Sequence, residues 1–431
     1  MTERMLVLGA GPAGLAFASR YGRGSIVLEK SGEVGGLSRS IRIHDGVFDV
    51  GGHSFHTPHP EVLELVRSLM NGSWHEHPRD ARVWVSGQLI PYPFQSHFEH
   101  LDDKSVVADC RGHVADVASV AASAHFEEWI RRRFGDGIAD HFMLPYNRKL
   151  WACDLGEMSR EWVGERVATE RDDRGRVGSG ARTRQPLQSD SLVGYPAQGG
   201  FGAIFDALAR RCGRIEFGES VIRVDMVGRV VHTAAGHVWP YDAVVSTLPM
   251  PQLANAIDGC PARVVELASR LRAVSLKVVL ILARLADRNV PQRIYIADPA
   301  VPAHKIAFNH TSSPSLAARK NHAIVCEVAY SHSKPARPDA ELLDASVDWL
   351  VANRFIASSR DVVARKVLDV PYGYPIPTHS RPAIVAEIGT FLERSRIHSI
   401  GRFGAWTYAN SDECMRQGLE LALRLSQSGS P

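Results

Sequence analysis

No stretch of this sequence approaches the roughly 20 consecutive apolar residues that a membrane-spanning helix needs. The longest run, Val278 to Ala283, is strand-sized. Charge of one sign is also scarce. Fifty Lys and Arg stand against 47 Asp and Glu, a formal net charge of +3. That is too little to argue for nucleic acid or an acidic membrane as a partner, yet it does not oppose an anionic small molecule. Cysteine is sparse: Cys110, Cys153, Cys212, Cys260, Cys326 and Cys414 are scattered without C-x-x-C spacing and read as buried thiols of a cytosolic protein. The first strand begins almost at the N-terminus and leaves no room for a signal peptide, so a cytoplasmic location is expected. At 431 residues the chain exceeds one ordinary core, and two or three domains are expected.

What the sequence does have is a glycine pattern in its first fifty-odd residues. Met5-Leu6-Val7-Leu8 is a short apolar run, Gly9-Ala10-Gly11-Pro12-Ala13-Gly14 fits G-x-G-x-x-G, and Leu15 to Tyr21 continue as a helix. Ser25-Ile26-Val27-Leu28 is the next strand and ends on Glu29. In such a βαβ unit the first glycine permits the tight turn, the second lets backbone approach a pyrophosphate, and the third lets helix pack on strand. The helix N-terminus then faces the phosphates. An acid about 20 residues on accepts from the adenosine ribose hydroxyls, the position of Glu29. Two more glycine pairs follow, in Lys30-Ser31-Gly32-Glu33-Val34-Gly35-Gly36-Leu37-Ser38-Arg39 and in Asp49-Val50-Gly51-Gly52-His53. They resemble the second and third FAD contacts of the amine-oxidase-like flavoprotein superfamily, so the dinucleotide implied is FAD rather than NAD.

Beyond this unit, Pro60 to Met70 has the apolar face of a helix, through Val62, Leu65, Val66 and Leu69. Arg82 to Val85 and Gln88 to Ile90 alternate as strands about a Ser86-Gly87 turn. The hairpin delivers Pro91-Tyr92-Pro93-Phe94-Gln95, where two prolines are expected to hold the backbone extended and present an aromatic ring with an amide, a combination suited to a nucleobase. Leu101 to Trp162 is helical in pattern, broken at Gly135-Asp136-Gly137, and Pro145 is expected to interrupt it again. Arg171 to Ser191 is almost devoid of apolar residues and reads as a mobile loop, either a gating flap or a surface insertion. Strands are expected at Gly218 to Val224, Tyr241 to Thr247, Leu276 to Ala283, Arg293 to Ala297, Ala323 to Val328 and Ile397 to Ile400, with a helix near Glu341 to Arg354. The fold class is therefore α/β: a discontinuous Rossmann-like FAD-binding domain (1–78, 197–258 and 393–431), a helical domain with the flap (100–196), and a β-sheet domain for the substrate (79–99 and 259–392).

Several segments, in order along nearly the whole chain, are similar to UDP-galactopyranose mutase, chiefly its eukaryotic-type branch. They are Gly51-Gly52-His53, Pro91 to Gln95, Phe126 to Ile130, Gly137 to Asp140, Pro145-Tyr146-Asn147, Trp162 to Ala168, Gly373-Tyr374-Pro375 and Gly401 to Tyr408. The resemblance implies that Tyr92, Phe94 and Gln95 hold uracil, and that Asn147 and Trp151 lie beside the ribose and phosphate. It puts Arg166, Tyr295, Tyr374 and Tyr408 around the diphosphate, and Arg79 and Arg402 near the flavin and the sugar. His53 falls where a histidine loop contacts the isoalloxazine, and Val221 and Asn410 join the FAD contacts. The chain departs from the pattern about ten residues past Tyr295, where Lys305 replaces an arginine and keeps the charge without the bidentate fork. Asp190 stands in the flap where an asparagine approaches the sugar.

The implied reaction converts UDP-galactopyranose to UDP-galactofuranose through attack by reduced FAD N5 on the anomeric carbon, with no net redox and with NADPH or NADH as the reductant. Arg166 and Lys305 would stabilise the departing diphosphate. No carboxylate dyad or nucleophilic triad is evident, in keeping with a cofactor that carries the hard chemistry. Other readings stay open: a mutase for a different NDP-sugar, an FAD-dependent oxidase or desaturase, or a non-catalytic nucleotide-sugar binder. His53, His56, His59, His75 and His77 raise the question of a metal, but no carboxylate or thiol completes a usual ligand set, and none is expected.

Overall fold

The computed structural model describes residues 4–111, 117–163, 167, 170–171, 177–178 and 192–428. Two sheets organise it. In the first, Met5–Leu8 sits at the centre of five parallel strands, ordered Arg214–Phe217, Ser25–Glu29, Met5–Leu8, Ala243–Ser246, Ile397–Ser399. Its four residues are all buried because helices cover both faces, which is why this strand is apolar throughout rather than alternating. The helix Pro12–Tyr21 starts inside the glycine motif, with proline in its first turn where a missing N–H costs nothing.

The second sheet has seven strands, ordered Val362–Pro375, Ala273–Ala283, His322–Tyr330, Lys305–Phe308, Arg293–Ile296, Ala81–Val85, Gln88–Pro91. Along Ala273–Ala283 the side chains divide by alternation: Leu276, Val278, Leu280 and Leu282 join the core shared with the helical segment, while Val279 and Ile281 face the core that includes Leu342, Val347 and Leu350 of the helix Asp339–Ala352. Register places Val278 opposite Glu327, Glu327 opposite Lys305, and Lys305 opposite Tyr295. One row across the sheet thus carries an acid, a base and a tyrosine side by side.

The hairpin forms with Val85 opposite Gln88, and positive φ at both Ser86 (51°) and Gly87 (75°) gives the turn that suits right-twisted strands. Three local expectations are corrected. The segment after Pro91 does not stay extended: Tyr92–Pro93 is a cis peptide and Phe94–His97 is a helical turn. Pro145 opens the helix Leu144–Trp151 rather than breaking one, since it lies in the first turn after the π-helical Ala139–Met143. The long strand Val362–Pro375, which carries Tyr374, has no clear alternation in sequence and was not expected. The break at Gly135 is present as a kink with φ 80° within Phe126–Ile138. Arg166, Asp190 and most of the expected flap lie outside the described residues.

Candidate active site

A cavity of about 1010 Å³ runs between the two sheets. Its first end is built from the glycine motif. Gly9 adopts φ 102°, and a Cβ on Gly14 would fall 2.1 Å from the Gly9 carbonyl oxygen, so only glycine lets this helix sit on this strand. A Cβ on Gly11 would meet no atom within 4 Å, although Gly11 lines the cavity. The space before it is open and faces the N-terminus of Pro12–Tyr21, a cradle that fits a pyrophosphate. Glu29 is held in place: Oε2 accepts from Ala10 N at 2.8 Å, and Oε1 accepts from Ser31 N and Oγ at 2.9 and 2.8 Å. Pro12, Ala13, Lys30 and Gly36 line the same end, as do Leu37, Ser38 and Val221.

The middle of the cavity is floored by the Gly51–Gly52 turn. Behind it, buried Asp49 accepts from Ser40 Oγ (2.6 Å), Tyr195 Oη (2.7 Å) and Phe201 N (3.0 Å), and burial pushes its carboxyl up to about 6. His53 Nε2 lies 3.0 Å from Val50 O, and its ring stacks on Phe201 with centroids 4.8 Å apart. Burial, then the Lys305 charge, lowers His53 to about 4. That value favours the neutral ring near pH 7, and His53 lines the cavity. Arg402 donates to Ala409 O (2.7 Å) and Gly373 O (3.0 Å) and lies over the Tyr374 ring, tying the C-terminal segment to the long strand. Tyr408 and Asn410 line the cavity beside it.

The second end is a box of tyrosines. Tyr92 and Tyr295 rings are 5.0 Å apart, Tyr146 meets Tyr295 edge-on at 5.8 Å, and Tyr374 meets Tyr408 at 5.4 Å. Arg79 donates to Tyr295 Oη at 2.5 Å and lies 5.3 Å from the Tyr92 ring centroid. Burial by itself would raise the Tyr295 hydroxyl, yet Arg79, Arg293 and Lys305 together hold it below its ordinary value. Gln95 and Asn147 line this end, Asn147 anchored by Nδ2 on Met143 O at 2.7 Å.

Besides Gly14, which packs helix on strand, two of the expected residues among those described do not line the cavity. Phe94 is fully buried and stacks on Phe142 at 5.0 Å, because the chain turns helical after Pro93 and carries Phe94 away from Tyr92. Trp151 is fully buried behind Trp162 and Tyr408, at 5.0 and 5.4 Å. Both shape the wall from behind. Lys305 reaches the cavity, but its ammonium lies 2.8 Å from Glu327 Oε1, which also accepts from Gly52 N at 2.7 Å. Glu327 is 1 % exposed; burial alone would raise its carboxyl, but Lys305 and then His304 hold it at about 2. His304, lowered by burial to about 3, has its Nε2 3.7 Å from Glu327 Oε2.

Sequence reasoning missed Tyr146 as a cavity residue, and also Arg293, His304 and Glu327. A signal existed for two of them. Arg293 lies two residues before Tyr295 in an alternating strand and so shares its face, and Glu327 is a lone acid in the otherwise apolar run Ala323 to Ala329.

Residues 13–289, well over half of the chain, match the family described as flavin containing amine oxidoreductase. The chain belongs to that family. Its cofactor is FAD, and the glycine end of the cavity is where the residues fit it. Among curated proteins the chain is 26 % identical over 302 residues to coproporphyrinogen III oxidases of Mycobacterium tuberculosis and Mycobacterium bovis. The match covers 65 % of this chain and 66 % of the relatives, just under two thirds of their length. Among solved structures, reduced UDP-galactopyranose mutase superposes with a TM-score of 0.86 at 26 % identity, over 100 % of this chain and 95 % of that one. A putative protoporphyrinogen oxidase from Exiguobacterium superposes with a TM-score of 0.75 at 16 % identity over 99 % of both chains, a likeness in fold. The resemblance to the mutase read from short segments thus extends to the whole chain in three dimensions. Among the described residues no helix is long and apolar enough to cross a membrane.

Proposed function

We propose that the protein is a flavin-dependent mutase that interconverts the pyranose and furanose forms of a nucleotide-linked sugar, with UDP-galactopyranose as the first candidate. The observation that carries this reading is the tyrosine box at the far end of the cavity, with Arg79 hydrogen-bonded to Tyr295 and Gln95 beside Tyr92. A nucleotide diphosphate calls for hydroxyl and cationic donors, and this end supplies them in a row. Reduced flavin, when bound, supplies the nucleophile that takes the sugar from its nucleotide, and NADPH or NADH would keep it reduced.

The remaining work falls to the chain. Tyr92 offers a ring face to the base and Gln95 an amide that can both donate and accept. The Tyr295, Tyr374 and Tyr408 hydroxyls orient the diphosphate, with Arg79 and, outside the described residues, Arg166 adding charge. The walls formed by Phe94 and Trp151 keep bulk water from hydrolysing the glycosyl group while it is detached. Neutral His53 packs against the flavin without exchanging a proton.

A second reading has one observation in its favour: the curated relatives are oxidases, and the same cations can pair with the carboxylates of a porphyrinogen. Incubating the dithionite-reduced protein anaerobically with a panel of UDP- and other NDP-hexoses, and the oxidised protein with coproporphyrinogen III in air, separates the two. Furanose products from a nucleotide sugar support the mutase; oxygen uptake with porphyrin formation and no sugar product would replace it with the oxidase.

A further inference from the structure

Beside the tyrosine end, behind the cavity wall, lies a buried cation held by backbone alone. Lys149 is 7 % exposed. Its ammonium donates to three carbonyls, Asp298 O at 2.8 Å, Val301 O at 2.7 Å and Ala303 O at 2.8 Å. All three belong to the turn that joins Arg293–Ile296 to Lys305–Phe308. Those strands bring Tyr295 and Lys305 to the cavity, while Tyr146 and Asn147 reach it from Leu144–Trp151, the helix that carries Lys149. The Tyr146 ring meets Tyr295 edge-on at 5.8 Å and His304 at 6.5 Å, so the two walls touch at the ligand space. The lysine ties the helix wall to the sheet wall.

Three acceptors need three donors. An ammonium has them, whereas a neutral amine has only two N–H bonds and turns a lone pair toward carbonyl oxygen. The buried setting acts against the charge: burial lowers Lys149 to about 7, Lys334 and Arg337 add to that, and Asp298 opposes it. On the strand side His304, held down chiefly by burial, also feels this ammonium.

We propose that Lys149 is a positioning residue that pins the turn from Asp298 to Ala303 to the helix wall, and that ligand affinity at the tyrosine end depends on its keeping three donors. The identity of the ligand as a uridine nucleotide sugar rests on the mutase reading; the pin does not. Loss of a donor frees a carbonyl of the turn, and the placing of Tyr295 against Tyr146 is then no longer fixed.

The test follows the turn and the ligand separately in the oxidised holoenzyme of wild type, Lys149→Met, which has no donor, and Lys149→Gln, which has two N–H donors and no charge. Flavin content and absorbance of each variant confirm the fold. Amide hydrogen exchange at pH 6.5, read by mass spectrometry, is expected to quicken over residues 296–304 in Lys149→Met, less so in Lys149→Gln, and in neither over Ala273–Ala283. Calorimetry with UDP-galactopyranose at the same pH is expected to show Lys149→Met weaker by about fivefold or more, the scale of coupling between distinct sites. From pH 6.5 to 8.5 the wild-type affinity should fall while both variants stay level, because neither has that proton to lose; a mere structural prop would not remove this alkaline fall. If wild type binds no nucleotide sugar, the nucleotide reading fails, and the exchange result by itself upholds or overturns the pin. Unchanged exchange over 296–304, affinity within twofold of wild type, or an alkaline fall that persists in Lys149→Met each overturn the inference. Should neither variant hold flavin, a wild-type affinity that stays level across that pH range overturns it as well.

Discussion

The two ends of the cavity are made in opposite ways. At the flavin end, the residues that line it, Val221 apart, come from Gly9 to Ser38, and the Glu29 carboxylate is satisfied locally by Ala10 and Ser31. At the tyrosine end, Tyr92, Asn147, Tyr295, Glu327, Tyr374 and Tyr408 come from separate parts of the chain, and Arg293 Nε and both His304 nitrogens have no hydrogen-bond partner among the described residues. The first end is a preformed backbone cradle that one motif specifies. The second exists only once a seven-stranded sheet has set its register, and it brings buried charges of both signs together.

The sharpest way to break this contrast is through the buried pair. Lys305→Met leaves Glu327 charged, 1 % exposed and without its ammonium, and should cost about 3–5 kcal/mol of stability. The double change Lys305→Met with Glu327→Leu should recover most of that, since neither charge then remains. Thermal and urea unfolding of the three proteins checks it; equal stability of the single and double variants would mean that the pair is not coupled.

The flavin end is probed by two neighbouring glycines. Gly14→Ala forces a methyl to 2.1 Å from a backbone carbonyl and should destabilise by about 3 kcal/mol, the upper part of the overpacking range. Gly11→Ala meets nothing in the protein, so the fold should stand while flavin affinity falls. Circular dichroism with flavin content after purification separates the two; retained flavin in Gly11→Ala would move the pyrophosphate elsewhere.

At the tyrosine end, Tyr92→Ala and Gln95→Ala should each weaken UDP by on the order of 1 to 3 kcal/mol, from a lost stacking face and lost amide hydrogen bonds. Phe94→Ala should instead act on stability, because its ring packs on Phe142 and does not reach the cavity. Titration of UDP against all three variants decides which residues of this segment face the ligand.

A smaller effect is expected from pH. His53 and His304 are held neutral, lowered to about 4 and about 3 by burial. The unfolded chain gains these protons near pH 6.5, before the folded one does, so stability should fall as pH drops from about 6.5 toward 4, by roughly 1.4 kcal/mol per pH unit for each histidine. Asp49 works the other way. Its carboxyl, raised to about 6, takes up a proton in the folded protein first and so adds stability as pH falls below about 6. Asp49→Asn should steepen the acid loss, measured as unfolding midpoints between pH 7 and 4.

How much was legible in the sequence follows the same division. The βαβ unit, the Ser86-Gly87 hairpin and the Gly135 break are local, and short-range rules place them correctly. Phe94 escapes such rules, because two prolines suggest one extended unit whereas the chain turns helical after Pro93 and redirects the ring. The Lys305–Glu327 pair and the position of Arg293 depend on which strands become neighbours, and no local pattern encodes that. Composition alone hid it as well, since a near-zero net charge conceals a cavity end where Arg79, Arg293 and Lys305 face Glu327.

The central claim is that a flavin at one end acts on a nucleotide sugar held at the other without net redox. It is tested most directly by counting turnovers per electron. The holoenzyme is reduced anaerobically with one equivalent of dithionite, given a large excess of UDP-galactopyranose, and the furanose product is quantified against flavin. The account predicts many product molecules per flavin, with the flavin still reduced at the end and none formed by the oxidised protein. Product limited to one per reducing equivalent, or equal turnover by the oxidised protein, would contradict it.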